Sequence, residues 1–477
     1  MIKRLFLLLL CVALVPGAGA GPLPDLGDVA TSDLSPQAEQ RLGESIMQEL
    51  RGDPAFLDDA EVEGYIQRLG GRLAAVSLEP DRAFDFFVVN DRSLNAFALP
   101  GGHIGVHTGL VLAAESESEL ASVIGHEIAH VTQRHIAQLF GKQSQAGMVM
   151  LASLLVAVLA ARSDSQVGEA ALVAGQAGAL QAQLAYTRSF EREADRLGIQ
   201  ILESAGYDVR GMPAFFERLQ RNSRLYENKA PGYLRTHPLT QERIADMDNR
   251  VAQTRYKQVP DSPDFAYVRA KLRASDGLAV DVARDFEKLI AAGRSDFAAR
   301  YGLARALLRS GALDDALKEV DAIRSKAPAS PFVESLYAEI KLAQREPAVA
   351  VAVYEAAQKQ FPEYVALRYG MLDALLQAGR AADASAAARA ATSARRDDVR
   401  MWVLQSRAEA ALGRKTAHHR AQAEVYVLKG SLPAAIEQLE LARRAGDGDF
   451  FELSAADARM RELKAEHEAR RRERQQR

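Results

Sequence analysis

Apolar residues recur along this chain with two periods, and most of the chain follows the helical one. Leu42, Ile46 and Leu50 lie four apart, and residues 36–75 read as helices on that spacing. FDFFVVN (Phe84–Asn90) is a run of aromatic and β-branched residues, which predicts a strand. Asn95–Val111 holds two further strand-like pieces around the turn Pro100-Gly101-Gly102. Ser116 to Phe140 reads as one helix, with Ser116 or Ser118 as N-cap and Gly141 just past its end. Met148–Ala161 is fourteen residues with almost no polarity, short for a membrane span. It is read as a buried helix of a helical hairpin, the alternatives being an apolar cover over a cleft or a membrane-surface contact. Gln183–Ala205 is a further helix, Leu234–Ile244 leads into another, and Gln258–Asp264 is a linker.

Beyond that linker the pattern repeats. Gly311, Gly379 and Gly413 stand on a 34-residue ladder that passes through Arg345, and Pro328 and Pro362 are also 34 apart. Ala316, Ala350 and Ala384 each follow a turn by five residues. Helix–turn–helix units at this period, with small residues where helices cross, are the tetratricopeptide signature. About four to five helical pairs are expected, with the phase slipping after Gly413 to Gly430 and Ala435.

The N-terminus pairs Lys3 and Arg4 with an apolar stretch, Leu5 to Val15, and ends in Ala18-Gly19-Ala20. That reads as a secretory signal peptide, expected to be cleaved after Ala20, the alternative being an uncleaved membrane anchor. The expected division is a signal peptide at 1–20, a linker at 21–36, a first globular domain at 37–258, repeats at 259–458 and a charged tail at 459–477. Cys11 is the only cysteine, so the mature chain has no thiol. Disulfides, cysteine zinc sites and cysteine nucleophiles are excluded, and any metal must be held by His, Asp or Glu. The apolar and charged fractions, 48% and 26%, are those of a globular protein. A net charge of −3 gives no footprint for nucleic acid.

GHEIAHVTQRH (Gly125–His135) carries the chemistry. His126 and His130 are four apart, so a helix aims both imidazoles at one point. Glu127 lies about 100° round the helix, placed to reach a metal-bound water without being a ligand. A third ligand is required. In FEREADRLGIQIL, Glu191 and Asp195 are also four apart on one face. Glu191 can ligate through its carboxylate. Asp195, one turn on, can accept the second N–H of His126 or His130. Glu193 points to another face.

GHEIAHVTQRH, FEREAD, THPLTQERI and NAFALPGGHI together resemble the CAAX-prenyl-protease-type zinc metallopeptidases. The resemblance implies a mainly α fold: a zincin-like metallopeptidase domain of helices plus a small β-sheet, followed by an α-solenoid of repeats. It implies one Zn2+ per chain on His126, His130 and Glu191, with Glu127 as catalytic base and Asp195 behind the ligands. A signal peptide and C-terminal repeats resemble the family's periplasmic branch. That implies a periplasmic endopeptidase whose substrates are misfolded or stalled outer-membrane proteins, with the outer-membrane assembly machinery as partner of the repeats. The family's membrane-bound members have several spanning helices. This chain shows none after the signal peptide, which leaves at most a peripheral membrane contact.

His237 is assigned to the same site, as the donor to the developing oxyanion, because Pro238 turns it away from helical conformation. It is also expected as a fourth zinc ligand at rest, which would close the site and make the activity latent. Asn95, Ala96, Phe97, Gly101 and Gly102 are expected to offer substrate a backbone edge. His103 and His107 are read as structural or cleft-lining, His135 as exposed, and His418, His419 and His467 as lacking metal partners. A different class of reading is a non-enzymatic assembly chaperone or adaptor with a closed structural zinc site. Glu127 discriminates, since a structural site does not need it.

Overall fold

The computed structural model describes residues 34–140, 188–224, 232–255, 257–293 and 296–476. The signal peptide and the apolar stretch Met148–Ala161 lie outside the described residues. The chain opens with α1 (Pro36–Leu50) and α2 (Ala60–Ala74), started by Ser35 and Asp59, whose side chains accept backbone N–H bonds of the first turn. Three strands follow: β1 (Asp85–Val89), β2 (Ala96–Leu99) and β3 (His103–His107). They form one sheet in the order β1-β3-β2, with β1 parallel and β2 antiparallel to β3. The turn from β2 to β3 is Pro100–Gly102, where Gly101 and Gly102 both have φ above +80° or at it (80° and 84°). A side chain at Gly102 would strike the Ala83 carbonyl at 2.6 Å, so glycine is required there.

The sheet is covered on both faces, and strand alternation divides its side chains. Phe86, Val88, Ala98, Ile104 and Val106 join the main core with α2 and with α4 (Glu117–Thr132). Phe87, Val89, Phe97 and Leu99 pack on Ile46, Met47 and Leu50 of α1. Every residue of α4 is buried. At ~1.5–3 kcal/mol for each large apolar side chain removed from water, this helix is fixed by its surroundings on all sides.

The single helix expected over Ser116–Phe140 is two. Ser116 caps α4, accepting from Glu119 N at 3.2 Å. The helix stops at Gln133, Arg134 takes φ 52°, and α5 (His135–Phe140) sets off in a new direction. Three shorter elements and one longer complete the domain: α6 (Arg188–Ala205), α7 (Gly211–Arg224), α8 (Gly232–Thr236) and α9 (Gln241–Ala252).

The repeats run from α10 (Pro263–Ser275) and α11 (Ala279–Ala291) through α12 (Phe297–Ser310), α13 (Leu313–Arg324), α14 (Pro331–Ala343), α15 (Pro347–Gln360), α16 (Val365–Gln377), α17 (Ala381–Ala394), α18 (Val399–Ala411), α19 (Lys415–Leu428) and α20 (Leu432–Arg444) to α21 (Phe450–Gln476). These twelve helices make six pairs among the described residues, one more than the periodicity suggests. The extra pair is the first, whose turn glycine Gly277 (φ 85°) sits 34 residues before Gly311. Helix α10 packs on α2 and the one-turn helix α3 (Thr108–Ala113), and one apolar cluster runs unbroken from Leu34 to Ile340. Buried Lys271 bonds Asp59 and Glu61 at 2.8 and 2.5 Å across this junction. Arg400 of α18 reaches back to Asp58 and Glu63. Within the stretch read as a charged tail, Met460 and Leu463 are buried. No helix among the described residues is long and apolar enough to cross a membrane.

Candidate metal centre

The centre lies where α4 crosses α6. The crossing is made of glycine: a side chain on Gly198 would meet Met212 Cε at 2.8 Å and the backbone N of His126 at 3.3 Å. A Cβ on Gly125 would come to 3.5 Å from the Gly198 carbonyl. Without side chains at the crossing, the two backbones approach closely, and the histidines of one helix face the acids of the other.

His126, His130, Glu191 and His237 each turn one donor atom to a common point, with these atoms within 4.8 Å of one another. All four are 0–1% exposed. The Nε2 atoms of His126 and His130 are 3.0 Å apart, and each faces a Glu191 oxygen at 3.5 Å. His237 Nδ1 lies 3.0 Å from Glu191 Oε1. His237 follows α8, with its N–H bonded to Tyr233 O at 2.8 Å and its ring stacked on Tyr233. Glu127 stands beside the cluster. Neither of its oxygens accepts a short hydrogen bond from a described side chain; His237 Nε2 is 3.5 Å from Oε1, and the Ala98 backbone N–H faces the carboxylate. Three imidazoles and a carboxylate converging at a buried point fit a single borderline-soft cation such as zinc.

Behind the donors stands a layer that fixes them. Asp195 Oδ1 is 3.1 Å from His126 Nδ1, as the four-residue spacing suggests. Asp195 is gripped from the other side by Arg243, through Nε and Nη2 at 2.7 Å each. The Nη1 atom of Arg243 also reaches Glu191 Oε2 at 2.7 Å and the Pro238 carbonyl at 2.8 Å. Arg243 thereby ties the helix of the acids to the loop of His237. Nothing local in THPLTQERI marks it, because its partner is 48 residues away and arginine at a helix start is usually solvated. Thr240, which caps α9, holds Arg243 in the first turn.

Charge follows this geometry. Burial works against a charged His126, yet Asp195 and Glu191 raise its pKa to about 9 when no cation is bound. Burial and the neighbouring His126 push His130 well below the ordinary range. Burial would raise Glu191, but His237 and His126 hold it well down. Burial pushes the Glu127 carboxyl up.

Other residues sit elsewhere. His103 and His107 are buried but bonded to Asp85 at 3.0 Å and Ser93 at 2.9 Å, outside the cluster. Glu193 is half exposed and turned away from the centre, as its place on the helix requires. His135, expected on the surface, is fully buried, with its Nδ1 2.8 Å from His130 Nδ1. A continuous helix would put it about 140° round from His130; the break at Arg134 brings it back. Asn95, Ala96 and Phe97 lie at or next to β2, whose outer edge has no strand partner among the described residues. Gly101 and Gly102 make the turn and are packed against Gln40 and Ala83.

Comparison with known proteins bears on both parts of the chain. Residues 60–251 match peptidase family M48, and residues 274–340 and 341–412 match tetratricopeptide repeats. The chain is 33% identical over 450 residues to the beta-barrel assembly-enhancing protease of Escherichia coli, covering 93% of this chain and 92% of that one. It is 31% identical over 445 residues to the protein of the same name from Yersinia pestis, covering 93% and 91%. A 203-residue stretch is 32% identical to mitochondrial metalloendopeptidase OMA1 of Arabidopsis thaliana, covering 42% of this chain and 39% of that one.

Proposed function

The chain belongs to peptidase family M48 and is a zinc metalloendopeptidase, and from that premise we propose that it is exported to the periplasm and acts on outer-membrane β-barrel proteins during their assembly. In this reading His126, His130 and Glu191 hold the zinc and Asp195 fixes the tautomer of His126. When bound there, zinc supplies a Lewis acid that polarises a peptide carbonyl and makes water acidic at neutral pH. Glu127 takes the proton of the attacking water and returns it to the leaving amine. Its upward shift on burial suits a group that must do both. His237 is the fourth donor at rest, which closes the site. Once it leaves the ligand set, it donates to the developing oxyanion, so activity is latent until its loop moves.

An extended substrate segment adds along the outer edge of β2 at Asn95, Ala96 and Phe97, with the turn at Gly101 and Gly102 ending that edge. Main-chain pairing of this kind reads little sequence, which suits a protease for unfolded chains. The domain limits 37–258 and 259–458 divide the labour: the first cuts, and the second offers a curved helical surface to the assembly machinery. The names of the relatives, beta-barrel assembly-enhancing proteases, support the substrate and partner class. The N-terminal pattern of Lys3 and Arg4 before the apolar run Leu5 to Val15 supports the compartment. A non-enzymatic adaptor would have no use for Glu127.

The observation that carries the reading is the buried four-donor cluster with Glu127 beside it. The test is zinc content by mass spectrometry on residues 21–477, paired with cleavage of an unfolded outer-membrane β-barrel protein. Glu127→Gln should keep the zinc and lose about 10²–10⁴-fold in cleavage. Glu191→Gln should lose both; zinc retained at full occupancy would mean that another carboxylate is the ligand. An unchanged rate and zinc affinity in His237→Ala would remove His237 from the mechanism.

A further inference from the structure

Arg134 and Arg345 are the non-glycine residues with positive φ among those described. Arg345 occupies a repeat turn where its counterparts are glycine. Arg134 has no such excuse of position: it interrupts the helix that carries the metal-binding histidines. A left-handed residue with a side chain costs roughly 1–2 kcal/mol and persists only where its surroundings hold it. Here they do. The Arg134 guanidinium donates to the Leu34 carbonyl at 2.8 Å and pairs with buried Glu39 at 3.3 Å.

What the strained turn achieves is the placement of His135. Its ring is fully buried and stacked on Phe190 of α6, centroids 4.2 Å apart and 12° from parallel. Its Nδ1 is 2.8 Å from Nδ1 of His130, and its Nε2 is 3.4 Å from Glu193 Oε2. The proton positions along this row follow from one requirement. If His130 offers the Nε2 lone pair to a metal, its proton is on Nδ1 and points at His135. His135 must then accept with Nδ1 and carry its own proton on Nε2, which points at the Glu193 carboxylate. Every position along the row is consistent, and the row ends on an anion at the surface.

We propose that His135 and Glu193 form a relay that positions His130: the Glu193 carboxylate fixes the His135 tautomer, and His135 in turn fixes the tautomer and ring angle of the zinc ligand. The two histidine ligands are thus held by unlike means. His126 is held by Asp195 directly, and His130 is held by a carboxylate acting through a second imidazole. His135 is a positioning residue and touches neither metal nor substrate. The inference rests on the assignment of His130 as a ligand.

The test reads the metal site itself. Zinc affinity is measured by chelator competition on the full exported chain, and the ligand field is read from the visible spectrum of the cobalt(II)-substituted protein. His135→Phe keeps the stack on Phe190 and removes the acceptor; it should weaken zinc about 10–100-fold and alter the cobalt bands. His135→Asn, which restores an acceptor, should recover part of the loss. Glu193→Gln, at a half-exposed position that leaves packing untouched, should weaken zinc about 3–10-fold. The double variant His135→Phe/Glu193→Gln should be no weaker than His135→Phe alone, since Glu193 acts only through His135. Unchanged affinity and spectrum in Glu193→Gln, or losses that add in the double variant, would overturn the relay. If His135→Phe does not fold, Glu193→Gln alone decides. His130→Ala separates the two levels: zinc retained there would overturn the ligand assignment, whereas zinc lost there and unchanged in Glu193→Gln would overturn the relay alone.

Discussion

Asp195 in the peptidase domain and Glu409 in the repeats are both almost completely buried, at 1% and 0% exposure, yet their surroundings differ. Asp195 is met by Arg243 and His126, which are themselves buried. Glu409 is met by Ser385 at 2.6 Å and by Arg389 at 2.7 Å, and Arg389 reaches in from the surface with 44% of its side chain exposed. In the repeats a charge is tucked under a solvated partner, a cheap way to finish a helix packing. In the peptidase domain a whole set of charges has been taken out of water together. Desolvation of that kind is rarely favourable for folding alone. It makes sense where the fold must hold a cation and exclude water from it.

Breaking each pair should show the difference. Arg243→Leu leaves Asp195 and Glu191 buried without their main cation. It should destabilise the peptidase domain by about 3–5 kcal/mol and lower zinc occupancy with it. Glu409→Gln keeps the shape and one hydrogen bond and should cost only about 1 kcal/mol. Denaturant unfolding followed with zinc content measures both. Equal losses would mean that the two burials serve the same end.

The same contrast governs what could be read from sequence. The repeats announce themselves because their turns reuse one local solution, a residue in the left-handed region at 34-residue steps that is glycine at 277, 311, 379 and 413 and Arg345 at the step between, and local solutions leave local signatures. His126, His130, Glu191 and Asp195 are legible for a similar reason, since two residues four apart on a helix share a face whatever the helix packs against. The supports are not. Arg243 acts on residues 48 and 52 positions away, and Gly198 matters only because α4 crosses α6 there. His135 misleads because a regular helix predicts a direction that Arg134 cancels. The pairing of β1 with β3, in parallel across an intervening strand, is also beyond the reach of strand periodicity.

Acid should separate the two regions further. His107 lies in the sheet of the peptidase domain, buried against Ser93, Asp91 and the Phe97 ring. Burial lowers its pKa from 6.5 to about 4, with Asp91 opposing only in part. The unfolded chain binds the proton first, so the folded state loses stability as pH falls from about 6.5 to about 4 and levels off below that. Over that full span the loss is on the order of 3 kcal/mol. His107→Gln should reduce this slope, and stability curves of the two proteins at pH 7 and pH 4.5 check it. Parallel curves would remove His107 as the cause.

The smallest effect sharpens the comparison most, because it sets one backbone strain against another. Arg345 has φ 63° at a turn where Gly311, Gly379 and Gly413 have φ 72–82°, and glycine at a left-handed position is relieved of the side-chain clash. Arg345→Gly should therefore stabilise the repeats by about 1 kcal/mol. Arg134→Gly relieves the same clash but deletes the bonds to Leu34 and Glu39 that hold the turn, and Glu39 is buried. Its gain should vanish or reverse, to a loss of about 1 kcal/mol, and His130 should bind zinc less well as His135 drifts. Thermal unfolding of both variants, with zinc affinity for the second, tests this. Stabilisation in both, with zinc affinity unchanged, would make the turn at Arg134 an ordinary irregularity. Opposite signs would mean that one region tolerates its strain and the other uses it.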